Sequence, residues 1–302
     1  MKVVIWLESS VRAFDLRLSQ LEALRARYPQ HAFAISRDKE AFLEMLPSAE
    51  AALVWRFAAD WYARAPRLRW VATPSAGREL VDVDPQRRVR VSHGSFHGKI
   101  MAESLLAMIL FHARRLDLCL TLQQQHRWER DVFSATRRIF GQRALIIGYG
   151  PLGRECARLL KAVGMSVVGV KRSPAGAPAP ADAVHAVADL PRLLPEADHV
   201  VLTLPGDTGA DHLIDAAALR LLKPSASLYN LGRGNAVDET ALVQALGAGK
   251  LAQAFLDVFQ VEPLPHDSPL WNVPNLHLMP HASAISSEYL ELWLEELSPE
   301  LV

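Results

Sequence analysis

Three polar residues in the second half of the chain, Arg233, Glu262 and His281, are of the types that reduction of a carbonyl needs. Arg233 stands between two glycines after the run 227–230, Glu262 comes shortly after 255–259, and His281 follows 276–279 and Pro280. These apolar runs read as buried strands, so the three side chains are expected at the carboxyl edge of one sheet. A cation there clamps a carboxylate and polarises the carbonyl beside it, while an acid protonates the alkoxide as it forms. A carboxylate next to the histidine would fix the ring and favour its imidazolium form. Singly, Glu262 in a proline-rich loop and His281 after a proline are ordinary. Together, at these positions, they point to hydride transfer onto a 2-oxo acid.

Such a transfer needs a hydride donor, and the stretch 143–160 has the features of a place for one. The run 144–147 reads as a strand, Gly148, Gly150 and Gly153 follow at G-x-G-x-x-G spacing, and Cys156, Ala157, Leu159 and Leu160 recur at helical spacing. Gly148 permits the turn, Gly150 lets a pyrophosphate approach the backbone, and Gly153 lets the helix pack on the strand. Pro151 and Leu152 open that helix, whose N–H groups face the phosphates. Proteins that bind S-adenosylmethionine use similar turns, as do strand–helix turns with no ligand at all. The next strand, 166–170, ends at Lys171-Arg172-Ser173, about twenty residues beyond the glycines, where an NAD site usually carries an acid for the ribose. Two cations and a hydroxyl suit a 2′-phosphate instead, which favours NADP and disfavours S-adenosylmethionine. Without that context Lys-Arg at a strand end is plain surface.

Stepping outward, short apolar runs at 2–7, 32–35, 51–55, 68–72 and 89–92 alternate with helical or turn-like segments in the first ninety-odd residues, as a parallel α/β unit requires. The loop Thr73-Pro74-Ser75-Ala76-Gly77 follows one of these strands. Its small residues could expose N–H groups to an anion, or form an ordinary Pro/Gly turn. The segment 99–125 reads as one long helix, with Leu105, Ile109, His112, Leu116 and Leu120 near one face. Further strands are expected at 200–204, 227–230, 252–258 and 276–279, and helices at 216–222, 288–297, and from an Asp238 cap to Gly247. The 33 basic residues balance 33 acidic ones, so no global charge steers the chain to nucleic acid or a membrane, and the arginines of 64–90 read as a solvated face. The run 2–7, followed by Glu8, is too short for a signal-peptide core, and 105–111 is too short to span a bilayer. These features predict a cytoplasmic protein. Cys119 and Cys156 read as buried small apolar residues, and neither they nor His93, His97, His112 and His126 show metal-ligand spacing.

The combination Gly148-Tyr149-Gly150-Pro151-Leu152-Gly153, Asn230-Leu231-Gly232-Arg233-Gly234, Leu256-Asp257-Val258-Phe259 with Glu262-Pro263-Leu264-Pro265, and Pro280-His281 resembles the D-isomer-specific 2-hydroxyacid dehydrogenase family, and most of all its glyoxylate/hydroxypyruvate reductase branch. The resemblance implies a two-domain α/β fold, with a Rossmann-type dinucleotide-binding domain (98–283) inserted into a flavodoxin-like substrate domain (1–97 plus 284–302). By the same resemblance Arg233 would bind the substrate carboxylate and carbonyl, His281 would be the acid/base, and Glu262 would pair with it. Asp257 would meet the nicotinamide end, and Leu204, Pro205 and Leu231 would line the cofactor. The Ala76 and Gly77 amides would hold the substrate carboxylate, with Trp55 as a further contact. The chain departs from the family after Pro205, where Gly206-Asp207-Thr208-Gly209-Ala210-Asp211 replaces the usual threonines, and where inward-facing Asp207 or Asp211 would disfavour a phosphate. The implied activity is NADPH-dependent reduction of glyoxylate, hydroxypyruvate or another small 2-oxo acid by a homodimer joined through the cofactor domain. Two other readings share the motifs: an NAD-dependent dehydrogenase of a different D-2-hydroxy acid, and a dinucleotide-sensing protein-interaction module of the corepressor type.

Overall fold

A computed structural model describes residues 1–174, 176, 179–206 and 209–301, without the Ser298 side chain. The chain divides into two compact units, Met1–His97 with Ile285–Val302, and Gly98–Ala284.

The first unit is built on five strands, β1 (Lys2–Trp6), β2 (Ala32–Ile35), β3 (Ala51–Val54), β4 (Trp70–Thr73) and β5 (Arg90–His93). All pair in parallel in the order β2-β1-β3-β4-β5, the flavodoxin-like order. Every residue of β3 and β4 is buried, because helices cover both faces of a parallel sheet and such strands become continuous apolar runs. Over one face Phe42, Phe57 and Trp61 pack with Trp6 as an aromatic cluster. The helix Tyr289–Glu296 returns from the far end of the chain and buries Tyr289, Leu290, Trp293 and Leu294. Polar contacts fix its position. The Glu296 carboxylate accepts the Ser95 and Phe96 amides, and Tyr289 Oη lies 2.7 Å from His97 Nε2.

The second unit carries a seven-stranded parallel sheet of β6 (Arg143–Ile147), β7 (Ser166–Val170), β8 (Ala183–His185), β9 (His199–Leu202), β10 (Ser227–Asn230), β11 (Gln253–Leu256) and β12 (Leu276–Leu278). Its order, β12-β11-β10-β9-β6-β7-β8, reverses direction at the β6/β9 pair, as in a Rossmann fold. Side chains alternate along each strand. Leu145 and Ile147 enter one core with Leu219, Leu242 and Leu246, while Ala144 and Ile146 enter another with Leu105, Ile109, Cys156 and Leu160.

Two local expectations fail, and one strand is additional. The helix expected over 99–125 is two, His97–Ala113 and Leu116–Gln124, separated where Arg115 adopts a left-handed φ of 53°. Only Leu122 of the second piece is buried, so Cys119 is exposed while Cys156 is fully buried. The edge strand β8 went unforeseen, since three residues after a Pro/Ala-rich loop carry too little pattern. No helix among the described residues is long and apolar enough to cross a membrane.

Candidate active site

In the second unit the glycine turn sits at the carboxyl end of β6, beside the point where strand order reverses. Gly148 has φ 102°, a left-handed conformation that L side chains rarely adopt, and its N–H donates to Val170 O at 2.9 Å. A Cβ on Gly153 would stand 2.7 Å from Gly148 O and 3.1 Å from Ile146 Cγ2, so the helix Pro151–Ala162 could not lie this close to β6 with any side chain there. Gly150 is different: a Cβ on it would meet nothing nearer than Gly148 O at 4.0 Å. That open face, at a helix N-terminus with no side-chain cap, is a cradle that a pyrophosphate fits. Tyr149 points inward, is 2% exposed, and accepts the Ala181 amide on its hydroxyl at 2.9 Å. One partner of the turn is Thr203, whose hydroxyl donates to Gly148 O at 2.8 Å and is not legible as a contact from sequence.

Lys171, Arg172 and Ser173 follow the carboxyl end of β7; Lys171 N donates to His185 O at 3.1 Å, and Arg172 and Ser173 are exposed. Leu204 and Pro205 leave β9, and buried Leu231 leaves β10. Asp211 is exposed, and its carboxylate accepts Asn235 Nδ2 at 2.6 Å; Asp207 and Thr208 lie outside the described residues.

Arg233, Glu262 and His281 follow β10, β11 and β12, three adjacent strands of the sheet. Arg233 is held through its backbone. Fully buried Asn230 donates Nδ2–H to Arg233 O at 2.9 Å and accepts Gly232 N–H at 3.1 Å, bridging the turn. The guanidinium donates to Gly232 O at 2.9 Å. A Cβ on Gly234 would lie 1.9 Å from Phe259 C, so the exits of β10 and β11 are in backbone contact. That contact leads to Glu262, whose Oε1 accepts Phe259 N–H at 2.9 Å. Its Oε2 meets His281 Nδ1 at 2.8 Å, with the His281 side chain exposed and that of Glu262 partly so. With Nδ1 committed to Glu262, Nε2 is the ring atom left for a substrate. His281 itself has φ 52°.

Asp257 follows β11 directly and is 1% exposed. Its carboxylate accepts Ala282 N–H at 2.6 Å, Ser283 N–H at 3.1 Å and the Ser283 hydroxyl. Ser104, on the helix His97–Ala113, donates to Ser283 O at 2.8 Å. Neither serine stands out in the sequence.

In the first unit Trp55 leaves β3. Its Nε1–H donates to Phe14 O at 3.1 Å, and its ring packs on Phe14 and Tyr289. Ala76 is exposed and Gly77 half-buried in the loop after β4, where Ser75 Oγ donates to Gly77 O at 3.3 Å. At the end of β5, burial and the nearby Arg78 push the His93 imidazole below its ordinary pKa.

Residues 106–283 match the model of the D-isomer specific 2-hydroxyacid dehydrogenase NAD binding domain. The glyoxylate/hydroxypyruvate reductase B of Pectobacterium carotovorum is 35% identical over 276 residues, which are 88% of this chain and 86% of that protein. The D-3-phosphoglycerate dehydrogenase of Mycobacterium bovis is 34% identical over 83% of this chain, and the chain spans about half (48%) of its length. Among solved structures, a D-isomer specific 2-hydroxyacid dehydrogenase of Xanthobacter autotrophicus Py2 in complex with NADPH and MES superposes with a TM-score of 0.79. It is 29% identical, and the match covers 99% of this chain and 94% of that one.

Proposed function

The chain belongs to the D-isomer-specific 2-hydroxyacid dehydrogenase family, and we propose that within it the protein reduces small 2-oxo acids such as glyoxylate and hydroxypyruvate with NADPH. The observation that carries this reading is the His281–Glu262 pair at 2.8 Å, one strand away from Arg233. A bound nicotinamide dinucleotide supplies hydride for C2 of the substrate. Arg233 grips the substrate carboxylate and draws electron density from the carbonyl, as a planar fork of donors does for an anion. His281 holds the proton at Nε2 and delivers it to the forming alkoxide, while Glu262 at Nδ1 orients the ring and balances its charge. The 2′-phosphate of the cofactor is assigned to Lys171, Arg172 and Ser173, and its pyrophosphate to the backbone from Gly148 to Gly153, with Leu204, Pro205 and Leu231 alongside. For the first unit, the Ala76 and Gly77 amides and the Trp55 ring are the proposed substrate-binding groups. The protein is proposed to be a homodimer through its second unit, in which Leu116, Leu120, Trp128 and Phe140 expose apolar surface.

The test is cofactor oxidation against two- to six-carbon 2-oxo acids, run with NADPH and with NADH. Turnover of glyoxylate or hydroxypyruvate with NADPH preferred is the expected result; no turnover with any 2-oxo acid despite cofactor binding would reject it in favour of a dinucleotide sensor. The 34% identity to D-3-phosphoglycerate dehydrogenases favours a second reading, NAD-linked chemistry on another D-2-hydroxy acid, so 3-phosphohydroxypyruvate and NADH belong in the panel.

A further inference from the structure

We propose that Asp257, Ser283 and Ser104 form a clamp that sets the backbone of His281, with Asp257 as a positioning residue. The kinetic half of this inference rests on the reductase reading; the structural half does not.

The observation to be explained is the φ of 52° at His281, a conformation that non-glycine residues rarely hold unless their surroundings impose it. His281 N–H donates to Asp257 O at 2.9 Å, which ties the loop to β11 from one side. The next two residues are tied through the side chain of the same aspartate. Oδ1 accepts Ala282 N–H at 2.6 Å, and Oδ2 accepts Ser283 N–H at 3.1 Å together with the Ser283 hydroxyl. Ser104 then fixes the Ser283 carbonyl at 2.8 Å. Residues 281–283 are therefore gripped at four backbone groups, and Ser283 and Asp257 are each 1% exposed.

A carboxylate has about four acceptor positions. Here three donors of this one loop occupy it, out of solvent. Such a group holds a segment in place. The segment it holds begins at His281, whose ring must meet Glu262 on the neighbouring loop at 2.8 Å. Loss of the clamp would let His281 relax towards ordinary φ and swing its imidazole away. A misplacement of about 1 Å costs on the order of a hundredfold in rate. Glu262 thus orients the ring from its tip, and the clamp orients it from its root.

The experiment compares Asp257→Asn, Ser283→Ala, Ser104→Ala and Ser283→Thr with the unmodified chain, each checked for folding by circular dichroism. In Asp257→Asn, the amide N–H₂ is forced against donors of the loop. We expect kcat at saturating NADPH to fall by about a hundredfold. Ser283→Ala should lose about tenfold in kcat by removing one donor, and Ser283→Thr, which keeps the hydroxyl, should recover most of it. A second readout needs no turnover: the downfield imidazole proton resonance of Nδ1–H, identified by its loss in Glu262→Gln, should shift or broaden in Asp257→Asn and Ser283→Ala. If Ser283→Ala and Ser104→Ala both kept kcat at saturating NADPH within about a factor of two of the unmodified chain, the clamp would be rejected. An unmoved resonance in Ser283→Ala would reject it too, even where Asp257→Asn fails to fold. Should the unmodified protein reduce no 2-oxo acid, the reductase reading fails while the resonance still decides the clamp.

Discussion

At the residue scale, His281 has two ring nitrogens with separate tasks, and substitution can separate them. His281→Ala removes the proton source, so kcat should fall by about 10²–10⁴-fold, read from steady-state rates at saturating substrate. A kcat within a factor of about two of the original would reject the acid assignment. Arg233→Ala should raise KM and lower kcat together, since the clamp on the carboxylate acts before and during the reaction. Replacing both Lys171 and Arg172 by Ala should weaken NADPH by at least about tenfold while leaving NADH nearly unchanged, as loss of charge-assisted hydrogen bonds to one phosphate would do. Equal losses with both cofactors would remove these residues from the 2′-phosphate. The Arg233, Glu262 and His281 positions were legible because each follows an apolar run that ends a strand. Asn230, Thr203, Ser104 and Ser283 were not. The partners of Thr203, Ser104 and Ser283 are brought close only by folding, as with Ser104 and Ser283, 179 positions apart; Asn230 bonds within its own turn, but a lone serine or asparagine has no pattern that announces a contact.

At the element scale, strands were easier to foresee than helices. A parallel strand in a covered sheet is mostly apolar, and β2, β7 and β10 fall where their runs predict. The sequence pattern shows no break at Ala113, because apolar spacing continues through Leu116 and Leu120 and nothing in Arg114-Arg115 signals a left-handed residue. Asp238 is a contrasting success: its carboxylate accepts Ala241 N–H at 3.0 Å at the start of the helix Glu239–Gly247. The exits of β10 and β11 touch only because Gly234 lacks a side chain. Gly234→Ala should therefore cost about 1–3 kcal/mol or more in urea denaturation. It should also lower kcat, by moving Arg233 relative to the loop that carries Glu262. A variant with unchanged urea midpoint and unchanged kcat would show that the loops have slack.

At the scale of the whole molecule, the second unit holds a polar network at the amino edge of its sheet that limits its stability in acid. His199 is 5% exposed, with Nδ1 at 3.1 Å from Tyr229 Oη and Nε2 at 2.6 Å from Gln142 Oε1, partners that suit a neutral ring. Burial lowers its pKa to about 4, with His112 and Lys223 adding to the shift and Asp198 opposing it. Burial also lowers His112 and His277, with the Asp117 carboxylate opposing the shift in both. Because the folded pKa of His199 lies below the unfolded value, the unfolded chain takes up the proton first. Stability is thus fully present above about pH 6.5 and is lost as pH falls towards 4, by about 3 kcal/mol from His199 alone. Thermal melts from pH 7.5 to 4.5 should show that loss, and His199→Gln should flatten the profile. Light scattering should give the mass of two 33.4 kDa chains, and Leu120→Glu with Trp128→Glu should reduce it to one. The helix Tyr289–Glu296 has a consequence for synthesis. Residues 1–97 leave the ribosome before their capping helix exists, since that helix is translated only after all of Gly98–Ala284. The N-terminal segment must wait through the birth of its neighbour with Phe14 and Trp55 lacking the Tyr289 ring that packs on them, which makes it a part of the nascent chain that needs a chaperone. A stop codon after Ala284 should accordingly leave the second unit protease-resistant and the first one digested.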